Sequence, residues 1–144
     1  MRGVDGLELS AKRAEYLKYI FNQGDVVRTT DISTHFSVAP STVTKTLEDL
    51  ARSGFVEHSP YHGVRISRRG REYARFLIRR HRLLALMLSR HGLSPDAACR
   101  EARSFEWYVN KSVVDSICAS LGHPVMSVCG PIEHDTCCCC PADR

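Results

Sequence analysis

No stretch of this 144-residue chain approaches the run of about 18 apolar residues that a membrane span needs, so no spanning segment is expected. A secretory core is missing as well. Met1-Arg2-Gly3-Val4-Asp5 leads into charged residues, and a cytoplasmic location is expected. Catalytic signatures are equally scarce: there is no glycine-rich phosphate loop, no nucleophile elbow and no HExxH helix, which argues against an enzyme. No internal repeat is visible. What is present is apolar material, 43% of the residues, enough for a packed core in one or two small domains.

The net charge of +4 says little by itself. Its distribution says more. Arg68, Arg69, Arg71, Arg75, Arg79, Arg80, Arg82 and Arg90 fall between Ser67 and Gly92 against the single acid Glu72. Either an anionic partner or an acidic helix relieves that repulsion, or the face is simply solvated. Seven cysteines, four of them consecutive from Cys137 to Cys140, point to metal or redox chemistry rather than a disulfide framework, given the lack of a secretory signal.

Periodicity predicts a first helix from about Ser10, a capping residue, to Asn22, with Ala14, Leu17 and Phe21 inward. A second helix starts near Thr30 and a third at Pro40, whose missing N–H is harmless in a first turn. Val43, Leu47 and Leu50 form the third helix's inner stripe, and Gly54 is a left-handed stop. Phe55–His58 and Val64–Ser67 read as two short strands. A long helix from about Ser67 to His91 follows. Another runs from Ser94-Pro95-Asp96 to about Val109, and a last one from Val113 to Leu121, beyond which the chain reads as loop.

Helix, helix, turn, helix and hairpin is the order of a winged helix-turn-helix. Its third helix presents Ser41, Thr42, Thr44 and Lys45 near an N-terminus that suits phosphates and the major groove. Thr30 and Pro40 flank this face. The wing adds Tyr61, His62 and Arg65. Hydroxyls reach phosphates or base edges, and Lys45 a phosphate or a guanine. The competing readings are a merely solvated hydroxyl face, or a winged helix used for protein contacts.

Val38-Ala39-Pro40-Ser41-Thr42-Val43-Thr44-Lys45, Tyr61-His62-Gly63-Val64-Arg65-Ile66-Ser67 with Gly70, Arg80-His81-Arg82-Leu83-Leu84 and Gly122-His123-Pro124 together resemble the DtxR/MntR family of metal-dependent repressors, over about residues 8 to 132. The resemblance implies a mainly α fold. A winged helix-turn-helix (8–66) precedes a linker helix and helical metal-binding and dimerisation domain (67–122) and a Cys-rich tail (123–144). It implies a homodimer on a roughly palindromic double-stranded DNA operator. It also implies an iron, manganese or zinc ion that ties the first helix to the dimerisation helices.

Position by position, the resemblance places the family's metal site on Glu15, Lys18, His81, Arg103, Glu106 and Trp107. Lys18, Arg103 and Trp107 stand where ligands are expected, and neither cations nor an indole N–H can ligate a metal. Two readings follow. Glu15, His81 and Glu106 hold one metal with Cys99 as a fourth ligand, a set better suited to iron or zinc than to manganese. Alternatively, Lys18 and Arg103 act as built-in cations that neutralise Glu15 and Glu106 without metal. In the tail, Cys129, His134, Cys137 and Cys140 can form a three-cysteine, one-histidine set, with His123 and Glu133 in reserve; the competing reading is a flexible tail whose thiols bind metal only adventitiously. Redox sensing by exposed thiols stays open, as does a regulator that binds DNA constitutively.

Overall fold

The computed structural model describes residues 4–59 and 61–134. Its elements are α1 (Ala11–Gln23), α2 (Thr29–Phe36), α3 (Pro40–Arg52), β1 (Val56–Ser59), β2 (Gly63–Ile66), α4 (Arg68–Arg90), α5 (Pro95–Phe105), a 3-10 turn (Glu106–Tyr108), α6 (Lys111–Ser120), β3 (Met126–Ser127) and β4 (Gly130–Pro131). They fall into two compact units. One is Leu9–Ala74; the other joins the residues up to Glu8 to those from Arg75 onward. No helix among the described residues is long and apolar enough to cross a membrane.

In the Leu9–Ala74 unit the helical period dictates the core. Ala14, Leu17 and Ile20 recur at three-residue spacing along α1 and are buried, as are Ile32 of α2 and Val43, Leu47 and Leu50 of α3. Ser10 caps α1 by accepting from Arg13 N–H. Pro40 opens α3 at its first position. At the other end of α3, Gly54 N–H bonds Ala51 O and Phe55 N–H bonds Leu50 O. This is a Schellman cap, and it brings the apolar side chains of Leu50 and Phe55 to one end of the helix. β1 and β2 pair antiparallel from Val56↔Ile66 to Ser59↔Gly63, and Val27 adds a bridge to Val64. Gly63 is required where that bridge closes: its φ is +90°, and a Cβ would lie 2.5 Å from Val27 O. Gly70 is equally constrained, because a Cβ there would meet Phe55 O at 2.0 Å. Ser67 fastens the same corner, donating to Gly54 O and accepting from Gly70 N–H.

The second unit packs the later turns of α4 with α5 and α6. Leu84, Ala85, Ala98 and Ala102 are its buried centre, flanked by Met87, Leu88, Leu93, Cys99, Phe105, Val109 and Ile117. Ser94 and Asn110 cap α5 and α6 through their side chains. The arginine run proves partly internal. Arg79 and Arg80 are 3% and 2% exposed. Arg79 pairs with Asp115 at 2.8 Å, and Arg80 donates to Gly6 O and Val109 O. These two cations therefore hold the unit together and are not available to an external anion.

Two elements differ from the sequence expectation. The helix expected to reach Val109 stops at Phe105 and tightens into the 3-10 turn, where tertiary partners claim its polar groups: Arg80 takes Val109 O. The segment after Gly122, expected as loop, contains the β3–β4 hairpin, paired Met126↔Pro131 and Ser127↔Gly130. Ser127 Oγ donates to Arg82 O, and Arg82 donates to Pro131 O, so the hairpin is tied to α4.

Candidate metal centres and nucleic-acid interface

Burial of Val43, Leu47 and Leu50 turns the opposite face of α3 outward. Pro40, Ser41 and Lys45 are exposed there, Thr42 and Thr44 half-buried. Thr44 Oγ1 donates back to Pro40 O at 3.0 Å, which leaves its lone pairs outward. Thr30 is exposed in the first turn of α2. On the wing, Tyr61 is 93% exposed, and His62 and Arg65 are exposed beside it. An exposed aromatic and two exposed basic side chains on one hairpin are groups of the kind that reach phosphates.

In the second unit, His81 Nδ1 lies 2.6 Å from Glu106 Oε2, and both side chains are nearly buried. Among the described residues no ion pair joins Arg103 to Glu106; His81 takes that carboxylate. Trp107 Nε1 donates to Arg103 O at 2.9 Å, so the indole serves the backbone. Glu15 and Lys18 are half-buried on α1, in the other unit. The oxygen-rich ligand set that the resemblance implies does not fit these residues: an indole N–H and two cations occupy three of its positions.

A different ligand set does form. Ligand atoms of His81, Cys99 and Cys129 all lie within 4.8 Å of one another. Three separate elements deliver them. His81 is on α4 and Cys99 on α5, while Cys129 sits in the two-residue turn between β3 and β4, the hairpin tied to Arg82. Because the Glu106 carboxylate engages Nδ1 of His81, Nε2 is the nitrogen left with a lone pair, the carboxylate–histidine arrangement common behind metal ligands. Burial pushes the Cys99 thiol up; its hydrogen bond to Cys129 and that neighbour's charge add to this, and Arg103 opposes it. A divalent cation would replace both thiol protons and satisfy the pair.

Of the four tail residues expected as one set, Cys129 and His134 fall in different clusters. Cys129 joins His81 and Cys99, whereas His134 joins Cys118 and His123 in a second cluster. The hairpin is the reason. Cys129 is at its closed end, and His134 lies past β4 at its open end, where Ile132 N–H bonds Val125 O. Cys137 and Cys140 lie outside the described residues. Glu133 is exposed. Sequence reasoning missed Cys118, which is fully buried.

Residues 8–64 match the family described as iron dependent repressor, N-terminal DNA binding domain. Residues 67–133 match iron dependent repressor, metal binding and dimerisation domain. The HTH-type transcriptional regulator MntR of Lysinibacillus sphaericus is 29% identical over 98 residues, covering 68% of this chain and 70% of that protein. The transcriptional regulator MntR of Salmonella typhimurium is 32% identical over 92 residues, 64% of this chain and 59% of that protein. Among solved structures, a hypothetical protein from Sulfolobus solfataricus matches with a TM-score of 0.75 at 23% identity, covering 86% of this chain and 96% of that one. A manganese-dependent transcriptional repressor in complex with manganese matches at 0.66 and 29% identity, over 79% of this chain and 54% of the other. The chain belongs to the iron-dependent repressor family, as a metal-dependent transcriptional repressor of the DtxR/MntR type.

Proposed function

We propose that this repressor answers to a thiol-preferring divalent metal, zinc or ferrous iron, held by His81, Cys99 and Cys129, and that it reads a roughly palindromic operator as a cytoplasmic homodimer. The convergence of those three ligand atoms within 4.8 Å carries the reading. Two thiolates and an imidazole suit zinc or iron, whereas manganese prefers carboxylates and carbonyls. Bound metal would supply positive charge and fixed angles among α4, α5 and the β3–β4 turn. Glu106 would hold the His81 ring in place.

The DNA chemistry belongs to the other unit. Ser41, Thr42, Thr44 and Lys45 face outward from the first turns of α3, the width of which suits a major groove. Tyr61, His62 and Arg65 would reach the flanking backbone, with Thr30 and Pro40 at the entry to the groove. A dimer presents two such faces, and operator symmetry would mirror its own.

The test is DNA binding by the reduced full chain to duplexes selected from a random pool, at fixed salt, with no metal, Zn²⁺, Fe²⁺ or Mn²⁺. Zinc or iron is expected to strengthen binding at least tenfold more than manganese, on the order of 1.4 kcal/mol of discrimination. Manganese acting as well as zinc would overturn the thiol pocket as the effector site.

A further inference from the structure

We propose that Cys118, His123 and His134 form a second, separate metal site, a zinc clip that fastens the segment after α6 to the end of that helix. None of the three belongs to the ligand set argued above, and the case rests on different geometry.

The end of α6 is closed by a Schellman cap. Gly122 N–H bonds Ala119 O at 3.0 Å, and His123 N–H bonds Cys118 O at 2.9 Å. α4 ends in the same way, with Gly92 N–H on Ser89 O and Leu93 N–H on Leu88 O. In this motif the residue after the glycine packs against the residue five positions before it. At α3 and α4 those pairs are Leu50 with Phe55 and Leu88 with Leu93, both apolar. At α6 the same backbone device brings together a thiol and an imidazole. His123 itself has a φ of +51°, directly after Gly122 at +77°. A left-handed conformation is uncommon for a residue with a Cβ, and such positions concentrate where side-chain direction matters.

His134 arrives from the open end of the hairpin. Its Nε2 lies 2.7 Å from Pro124 O. A carbonyl only accepts, so Nε2 carries the proton and Nδ1 offers its lone pair. That nitrogen is 3.5 Å from Cys118 Sγ, and His123 Nδ1 is 3.4 Å from the same sulfur. With Zn–S near 2.3 Å and Zn–N near 2.0–2.1 Å, the sulfur–nitrogen edge of a zinc tetrahedron is about 3.6 Å. Both edges thus stand close to metal-bound length. All three ligand atoms fall within 4.8 Å of one another, and the carbonyl behind His134 is the outer partner that ligating histidines usually have. On binding, the Cys118 thiol gives up its proton to solvent and becomes a thiolate ligand. Three protein ligands leave a fourth position for water.

The test is zinc titration of the reduced full chain, observed through the ring nitrogens of ¹⁵N-labelled histidines. Zinc is expected to shift the Nδ1 resonances of His123 and His134 together, with saturation at one equivalent for this pair. Zinc held by His81, Cys99 and Cys129 has neither ring as a ligand, so it leaves these two nitrogens in place. Cys118→Ser should abolish both shifts. Should burial at that position make this variant misfold, His123→Gln, at an exposed ring, should leave the fold intact and weaken zinc at His134 at least about tenfold. Cys99→Ser with Cys129→Ser should leave both shifts unchanged, which separates this site from the effector pocket. If saturating zinc leaves both nitrogens unmoved, the cluster is a set of thiol–imidazole hydrogen bonds and the proposal is overturned.

Discussion

The two units handle polar side chains in opposite ways. In Leu9–Ala74 the buried side chains among the described residues are apolar apart from Thr46 and the hydroxyls of Tyr16 and Tyr73, and the groups suited to DNA lie on the outside of α3 and the wing. In the other unit Arg79, Arg80, Glu106 and Ser127 are buried and bonded, and the ligand-bearing residues converge from distant parts of the chain. A surface that reads a groove needs a rigid apolar support and a periodic pattern. A site that holds a metal needs side chains fixed by buried polar partners, which makes that unit costlier to disturb at single polar positions.

Substitutions can break or sharpen this contrast. The largest stability effect is expected at Arg80→Met, which leaves Gly6 O and Val109 O without their charged donor. A loss of about 3 kcal/mol is expected in denaturant unfolding, against less than about 0.5 kcal/mol for exposed Arg75→Met. Equal losses would erase the distinction between buried and surface arginines. Gly70→Ala should cost about 1–3 kcal/mol in the same assay, because its methyl group meets the Phe55 carbonyl; an unchanged midpoint would mean that this corner yields. Glu106→Gln keeps the side chain's shape and an oxygen that accepts from the His81 ring, so it should cost only about 1 kcal/mol of stability while weakening metal binding about 10–100-fold. Calorimetric titration reads this, and an unaltered affinity would remove Glu106 from the site. Lys45→Ala should be the mildest change. It should lower the slope of log affinity against log salt by about 1 if Lys45 meets a phosphate; an unchanged slope with altered sequence preference would place it on a base instead.

The Leu9–Ala74 unit was largely legible in the sequence because its determinants are local. Ser10, Pro40 and Gly54 each act within one turn of where they stand, and the stripe Val43, Leu47, Leu50 declares its own period. The metal-binding unit was legible as helices, most clearly through Ser94-Pro95-Asp96, but not as a site. The β3–β4 hairpin has strands too short to show alternation, yet it decides that Cys129 and His134 part company. Cys118 offered no signal as a single buried thiol; the signal was Cys118-x-x-x-Gly122-His123, a helix-closing glycine that pairs its neighbours. For the arginine run composition left three readings open and could not choose between them: Arg79 meets Asp115 of α6, Arg80 folds onto carbonyls, and Arg68, Arg69, Arg71 and Arg75 are exposed.

The central claim is that His81, Cys99 and Cys129 couple metal to DNA binding. The most direct measurement is the DNA affinity of the reduced full chain with and without zinc, compared between the natural sequence and the Cys99→Ser, Cys129→Ser double variant. The account predicts that zinc strengthens binding of the natural chain and that the double variant, still folded, loses this response and binds at the metal-free level. A double variant that answers zinc as the natural chain does would contradict it.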